Sequence, residues 1–265
     1  MDKRSKDLRR LVIQMIEVGG RGHIGPALSL IEVLRVLYDS FLQYRPDEPD
    51  WVERDRFILS KGHGCLALYA ILTDKGFFPK EELATFGKST SRLGGHPERG
   101  KVPGIEASTG ALGHGLPMGV GMALAAKIRH QLQRVVVVTG DGEINEGSVW
   151  EAAMSAAKHK LSNLTVLVDY NKLQSYGPTQ EVLDLEPLTD KWRSFGFEVE
   201  EVDGHDVAAL EHLLNRLPLN VQKPTAIICH TVKGKGLSFA ESKPEWHHKS
   251  RLSEAQIAAM YECLV

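Results

Sequence analysis

Val135-Val136-Val137-Val138-Thr139-Gly140-Asp141-Gly142-Glu143-Ile144-Asn145-Glu146-Gly147 is the stretch on which the fold turns. Its first five residues form an apolar, β-branched run suited to a strand buried on both faces. Gly140 to Gly142 make a glycine-bounded turn, and a helix is expected from about Gly147 to Lys160. A second buried strand is expected at Leu164 to Val168, followed by Asp169-Tyr170-Asn171. In such a strand-turn-helix-strand unit the ends of neighbouring parallel strands lie side by side. Asp141 and Asn171 are therefore expected to point at one ion although thirty positions separate them. A carboxylate, an amide oxygen and a backbone carbonyl are hard oxygen ligands that suit octahedral Mg2+ and leave room for phosphate oxygens and water. Gly140 and Gly142 let backbone N–H groups approach a phosphate, and the start of the next helix favours negative charge. The simpler alternative is a strand-to-helix turn with an aspartate near the helix start. A dinucleotide site is the main rival, but the second half of its GxGxxG pattern is missing and Asp141 would repel a dinucleotide phosphate.

The rest of the chain bounds these readings. At 265 residues, 42% hydrophobic and 25% charged, it can bury a sizeable core, and a single domain over residues 1–265 is expected. A formal net charge of −2 supplies no basic stripe, which argues against nucleic acid or a membrane surface as partner. Cys65, Cys229 and Cys263 lack the spacing of a zinc site and are too few for a disulfide framework. The N-terminus is charged rather than signal-like, and no apolar run approaches the ~20 residues needed to span a bilayer. A reduced, cytoplasmic setting is the expectation.

Working outward, Ser5 is read as the cap of a first helix whose Leu8, Leu11, Val12, Met15 and Ile16 share one face and which Gly19-Gly20 ends. Ser29 with Glu32 has the spacing of a capping box opening a second helix through Phe41. A short strand, Arg56 to Leu59, runs into Ser60-Lys61-Gly62-His63-Gly64 and a further helix. Gly87 to Gly115 is a long aperiodic segment, of the kind that is functional or disordered in compact domains. Beyond it the spacing predicts helices over Leu116–Gln131, Pro187–Phe195 and Val207–Leu217, strands over Phe197–Val202 and Thr225–Thr231, and a terminal helix from Ser253. Strands alternating with helices predict an α/β fold, a mostly parallel sheet with helices on both faces.

Histidines stand in four loops among small residues or beside a second histidine: His23, His63, His96 and the pair His247-His248; one more, His114, lies in Gly110-Ala111-Leu112-Gly113-His114-Gly115. Glycine on either side exposes an imidazole to a ligand. Each alone is more simply a satisfied loop histidine, but together they flank the carboxyl ends of strands, where open α/β sheets bind ligands. Imidazoles there suit proton transfer and contact with sugar hydroxyls or a diphosphate. His130, His159, His205, His212 and His230 are read as surface or core residues, and Lys233-Gly234-Lys235-Gly236, which lacks Walker spacing, as a solvated loop.

The Gly140-Asp141-Gly142 turn followed at this distance by Asn171 resembles the thiamine diphosphate fingerprint. The chain resembles the transketolase family, in its N-terminal, diphosphate-binding half. The resemblance runs nearly end to end, through Gly22-His23-Ile24-Gly25-Pro26, Ser60-Lys61-Gly62-His63-Gly64-Cys65, Gly95-His96-Pro97-Glu98, Ser108-Thr109-Gly110-Ala111-Leu112-Gly113, Asn171-Lys172 and Lys233-Gly234-Lys235-Gly236. It implies a thiamine diphosphate-binding fold in which Asp141, Asn171 and the carbonyl of Leu173 hold Mg2+. Gly142, His63 and Asn171 would touch the diphosphate, and Gly110 and Leu112 the aminopyrimidine and thiazolium rings. His23, His96 and His247, with His248 as the alternative to His247, would face the donor ketose. Glu146, grouped with the cofactor residues, would lie at the dimer contact that couples two sites.

Full-length transketolases usually have Gly-Pro-Leu-Gly-Gln where this chain has Gly110-Ala111-Leu112-Gly113-His114, and Ser175-Tyr176 replaces a usual apolar-acidic pair, so an unusual substrate preference is implied. They are also more than twice as long. The remainder carries the pyrimidine-binding domain, with the glutamate that activates the aminopyrimidine and the arginines that grip the acceptor's phosphate. The resemblance thus implies the first subunit of a split transketolase. It would move a two-carbon ketol unit from a ketose or its phosphate to an aldose, together with a C-terminal-half partner, two copies of each. The alternatives are a decarboxylating thiamine diphosphate ligase of the deoxyxylulose phosphate synthase or acyloin type, and a non-catalytic lobe that only binds a partner.

Overall fold

Residues 135–138 are fully buried, and their alternation settles which side of the sheet each faces. In the computed structural model, which describes residues 1–265, Val136 and Val138 join Leu167 and Ile227 in one core, while Val135 and Val137 join Val166, Val168 and Ile228 in a second core on the opposite face. Period-two side-chain alternation in a doubly covered sheet produces this division.

The helices are α1 (Lys3–Gly19), α2 (Ile24–Leu28), α3 (Ile31–Val36), α4 (Cys65–Asp74), α5 (Gly115–Ile128), α6 (Gly147–Lys158), α7 (Thr179–Val182), α8 (Leu188–Ser194), α9 (Val207–Leu214) and α10 (Glu254–Glu262). The strands are β1 (Arg21–Gly22), β2 (Arg56–Leu59), β3 (Val135–Gly140), β4 (Leu164–Tyr170), β5 (Glu198–Asp203), β6 (Thr225–His230) and β7 (Lys249–Ser250). Five of the strands form a wholly parallel sheet in the order β2-β3-β4-β6-β5. From β4 the chain runs out to the edge strand β5 and returns to lay β6 against β4, so β3, β4 and β6 open side by side at their carboxyl ends. The edge strand β5, Glu198-Val199-Glu200-Glu201-Val202-Asp203, buries only Val199 and carries four acidic side chains, which blunts an open edge. No helix is long and apolar enough to cross a membrane, and all three cysteines are free thiols.

Two local expectations are corrected, and one element is added. The cap of α1 is Asp2, whose carboxylate accepts from the Ser5 N–H at 2.9 Å, while Ser5 itself is buried. Ser29 and Glu32 form no capping box: α3 starts at Ile31 without a side-chain cap. Ser29 Oγ instead donates to Asp169 Oδ2 at 2.7 Å, and Glu32 receives Arg9 Nη1 at 2.5 Å and faces His205 Nδ1 at 2.8 Å. The tail adds an element of its own, the two-residue strand β7, which pairs antiparallel with β1 (Arg21 opposite Ser250, Gly22 opposite Lys249) and carries His247 and His248 toward His23.

At the carboxyl end of β4 the buried Asp169 carboxylate receives the Lys61 ammonium and the hydroxyls of Thr231 and Ser29. Burial alone would raise its pKa, but these partners hold it below the usual carboxylate range. Asp169→Asn would leave the Lys61 charge buried without a counter-ion, and a loss of about 3 kcal/mol or more is expected. Urea unfolding measures it; a loss under about 1 kcal/mol would show that the pair is not structurally required.

Candidate active site

The register places Gly140 opposite Asp169, so the residue after β3 and the residues after β4 share one rim. Asp141 follows at once. Its Oδ1 accepts from the Gly142 N–H at 2.7 Å and its Oδ2 from the Lys172 N–H at 2.6 Å, and neither oxygen touches a cationic side chain. Burial, reinforced by the nearby Asp169 charge, pushes its pKa up to about 6. Lys172 has φ +65, a left-handed conformation uncommon for a side-chain-bearing residue. The turn it makes folds Asn171 and Leu173 back to the rim, where Asn171 Oδ1 accepts from the Leu173 N–H at 3.2 Å and Asn171 Nδ2 donates to Asp169 at 3.2 Å.

Two residues not singled out as site residues in the sequence complete this end. Glu143 is buried, accepts the N–H groups of Gly140 and Gly113 at 3.0 Å each and takes the Ser60 hydroxyl, so it ties the turn after β3 to the glycine loop. Lys233 corrects the reading of its loop as solvated. It is 3% exposed and donates to the Leu173 carbonyl at 2.5 Å. Burial, then the Lys61 charge, brings its pKa down to about 8. A glycine-flanked lysine is ambiguous in sequence, because only the return of the chain from β6 brings this one inward.

A cavity of about 270 Å3 opens over this rim. His23, His63, His96, His247, Gly110, Leu112, Asp141, Gly142, Asn171 and Leu173 all line it, as do Lys61, Glu143 and Lys233. Glu146 alone of the nominated residues lies outside, exposed at the start of α6. His114 is also outside and exposed, its Nδ1 3.0 Å from the Leu112 carbonyl. His247, not His248, faces the cavity. Gly110, at φ +139, has no room for a side chain, since a Cβ would stand 2.7 Å from the His96 ring. A Cβ at Gly62 would likewise stand 2.6 Å from the Thr109 backbone, so only glycine lets the 108–113 loop seat on the turn after β2.

The histidines form one cluster with His23 as hub, its ring centroid 5.4 Å from His63, 6.0 Å from His96, 5.3 Å from His247 and 4.6 Å from His248. Burial first, then neighbouring positive charge, lowers His23 to about 4 and His247 to about 3, and pushes His63 well below its usual range. His23, His63 and His247 are therefore neutral near pH 7, imidazoles that can exchange protons or hydrogen-bond hydroxyls.

A pH dependence of stability follows. A histidine whose folded pKa is depressed resists protonation only when folded, so its contribution is complete above the ordinary 6.5 and is lost as pH falls toward 4. Denaturant midpoints should fall between pH 6.5 and pH 4, and less steeply in His23→Gln. Identical slopes in the two proteins would contradict a neutral His23.

Comparisons with known proteins identify the family. Residues 2–264 match the family described as transketolase, thiamine diphosphate binding domain. The chain is 45% identical to an apulose-4-phosphate transketolase subunit of Actinobacillus succinogenes, covering 94% of this chain and 90% of that one. It is 43% identical to the 6-deoxy-6-sulfo-D-fructose transketolase subunit SqwG of a Clostridium species, covering 96% and 93%. A solved Pichia stipitis transketolase superposes with a TM-score of 0.91 at 31% identity, covering 97% of this chain but 40% of that one. The chain thus spans about two fifths of the solved full-length enzyme and nearly the whole of each of the two transketolase subunits. It belongs to the transketolase family, as that family's N-terminal, thiamine diphosphate-binding part.

Proposed function

We propose that this chain is the N-terminal subunit of a two-component, Mg2+- and thiamine diphosphate-dependent transketolase. With a C-terminal-half subunit, it would transfer a two-carbon ketol unit from a ketose or ketose phosphate to an aldose. The observation that carries the reading is the convergence of the Asp141 carboxylate, the Asn171 amide oxygen and the Leu173 carbonyl beside a cavity ringed by neutral histidines. The set holds one carboxylate and no group of three His, Cys, Asp or Glu. That composition suits Mg2+ rather than a transition metal. Two buried donor-capable atoms of the lining, Gln174 Nε2 and His247 Nδ1, have no partner within the chain, which fits a polar ligand between them.

Thiamine diphosphate, when bound, supplies the carbanion chemistry that breaks the carbon-carbon bond beside a ketose carbonyl. Asp141, Asn171 and the Leu173 carbonyl would hold Mg2+, and His63 and Gly142 would contact the diphosphate. Gly110 and Leu112 would border the rings, with the close Gly110–His96 approach setting their distance from the substrate side. His23, His96 and His247 would orient donor hydroxyls and take or return a proton at their ring nitrogens.

The site is half of one. The cavity's only glutamate, Glu143, is committed to two backbone N–H groups and the Ser60 hydroxyl, so the carboxylate that activates the aminopyrimidine would come from the partner. We infer that further chains dock over α5 and α6, where Gly121, Ala125 and Ile128 line up on the exposed side of α5 and Met154 of α6 is 55% exposed. Two copies of each chain, with Glu146 at the contact between sites, is the assembly we infer. The absence of a membrane-crossing helix, together with free thiols, supports a cytoplasmic place.

Asp141→Ala is expected to weaken Mg2+-dependent cofactor binding by about a hundredfold or more, read by calorimetric titration; wild-type affinity would refute the metal assignment. The purified chain alone should bind the cofactor weakly and show no ketol transfer, and adding the partner should tighten binding. Robust transfer by a rigorously partner-free preparation would refute the half-site.

A further inference from the structure

The cluster of histidines has two sides, and only one faces the turn after β3. On the other, a second cavity of about 320 Å3 is walled by Arg21, Leu66, Phe86, His248 and the far faces of His23 and His96. The two cavities meet at His23 and His96, which line both. No aspartate or glutamate lines the second one. Arg21 is exposed at its rim, and its guanidinium has no hydrogen-bond or ion-pair partner within the chain. Its backbone is nonetheless fixed, because β1 pairs with β7 and the Arg251 N–H donates to the Gly20 carbonyl at 2.9 Å. The same ribbon sets His248 against His23, ring centroids 4.6 Å apart.

The chemistry along this path is ordered. It begins at the oxygens of Asp141, Asn171 and Leu173, passes the neutral imidazoles of His63, His247, His23 and His96, and ends at the unpaired charge of Arg21 beside His248. Hydroxyl-binding groups come in the middle and an anion-binding group at the far end.

We propose that this second cavity is a subsite for a terminal oxyanion, phosphate or sulfonate, of the sugar substrate, with Arg21 as its anion-binding residue and His248 as a second donor. Anion selection would then be shared between the two kinds of chain and not left to the partner alone. The proposal rests on the ketol-transfer reading for the identity of the sugar, while the anion site itself is independent of it.

The test compares Arg21→Gln and Arg21→Lys with wild type in the two-chain enzyme, using D-fructose 6-phosphate, 6-deoxy-6-sulfo-D-fructose and D-fructose as donors. The ratio of kcat/KM for a charged donor over D-fructose should fall about tenfold in Arg21→Gln and recover in part in Arg21→Lys, as expected for loss of one charge-assisted contact. A fall for the phosphate alone or for the sulfonate alone identifies the anion served, and unchanged ratios for both overturn the proposal. A second measurement needs no turnover: the 15N-labelled chain is titrated with inorganic phosphate, and the Arg21 side-chain and His248 ring signals are followed. Saturable shifts in wild type that vanish in Arg21→Gln support the subsite. No shift up to roughly 100 mM phosphate, enough to half-fill a site held by one such contact, overturns it. If the two-chain enzyme turns over no ketose at all, ketol transfer fails while the titration still decides the anion site.

Discussion

The buried ion pair between Lys61 and Asp169 is the constraint on which the rest of the site depends. Both side chains are withdrawn from water, at 2% and 0% exposure, and an isolated charge there would be too costly to keep. Asp169 therefore has to gather partners, and it takes them from the turn after β2 (Lys61), from the end of α2 (Ser29), from beyond β6 (Thr231) and from its own strand end (Asn171). Those are the segments that wall the cavity. The charge that is costly to bury thus selects one arrangement of four chain segments, as fully satisfied buried polar networks do.

With Lys61 committed to Asp169, Asp141 and Glu143 are left as buried carboxylates without a paired cation, and burial raises the pKa of each, reinforced at Asp141 by the Asp169 charge. Lys233 offsets part of this effect by standing on the Leu173 carbonyl, itself held there at a lowered pKa. The rim so built has hard oxygen acceptors and an excess of unfavourable burial that a divalent cation would relieve. Behind it, a relay of Arg9, Glu32 and His205 fixes the loop that delivers Lys233. Arg9 Nε donates to the Lys235 carbonyl at 2.8 Å, and the Val232 N–H donates to His205 Nε2 at 2.8 Å. Glu32 joins the two, held down to about 2 by Arg9 and His205 against its own burial.

What the sequence made legible divides along the range of the interaction. The sheet was readable because Val135 to Val138 and Leu164 to Val168 carry their burial in their own composition, and Arg56–Leu59 is bounded by its own turn residues. The neighbourhood of the turns after β3 and β4 was readable because parallel strand ends are adjacent whatever else the chain does. The misread residues have partners far along the chain. Ser29 and Glu32 fit a capping box locally but are claimed by Asp169, Arg9 and His205. Lys233 belongs to a carbonyl sixty residues away. Glu143 and Lys61 carry no local sign of burial, and the split between His247 and His248 is set by pairing of β7 with β1. His205, read only as a surface or core residue, is a structural member of the relay.

The central claim is that the rim formed by Asp141, Asn171 and the Leu173 carbonyl is a Mg2+ site for a diphosphate cofactor. A crystal structure of the chain with Mg2+ and thiamine diphosphate, with its partner present, tests it most directly. The account predicts an octahedral ion at about 2.1 Å from one oxygen of each of the three residues, with Lys233 moved off the Leu173 carbonyl. Cofactor density bound elsewhere, or an ion at another site with Lys233 still on Leu173, would contradict it.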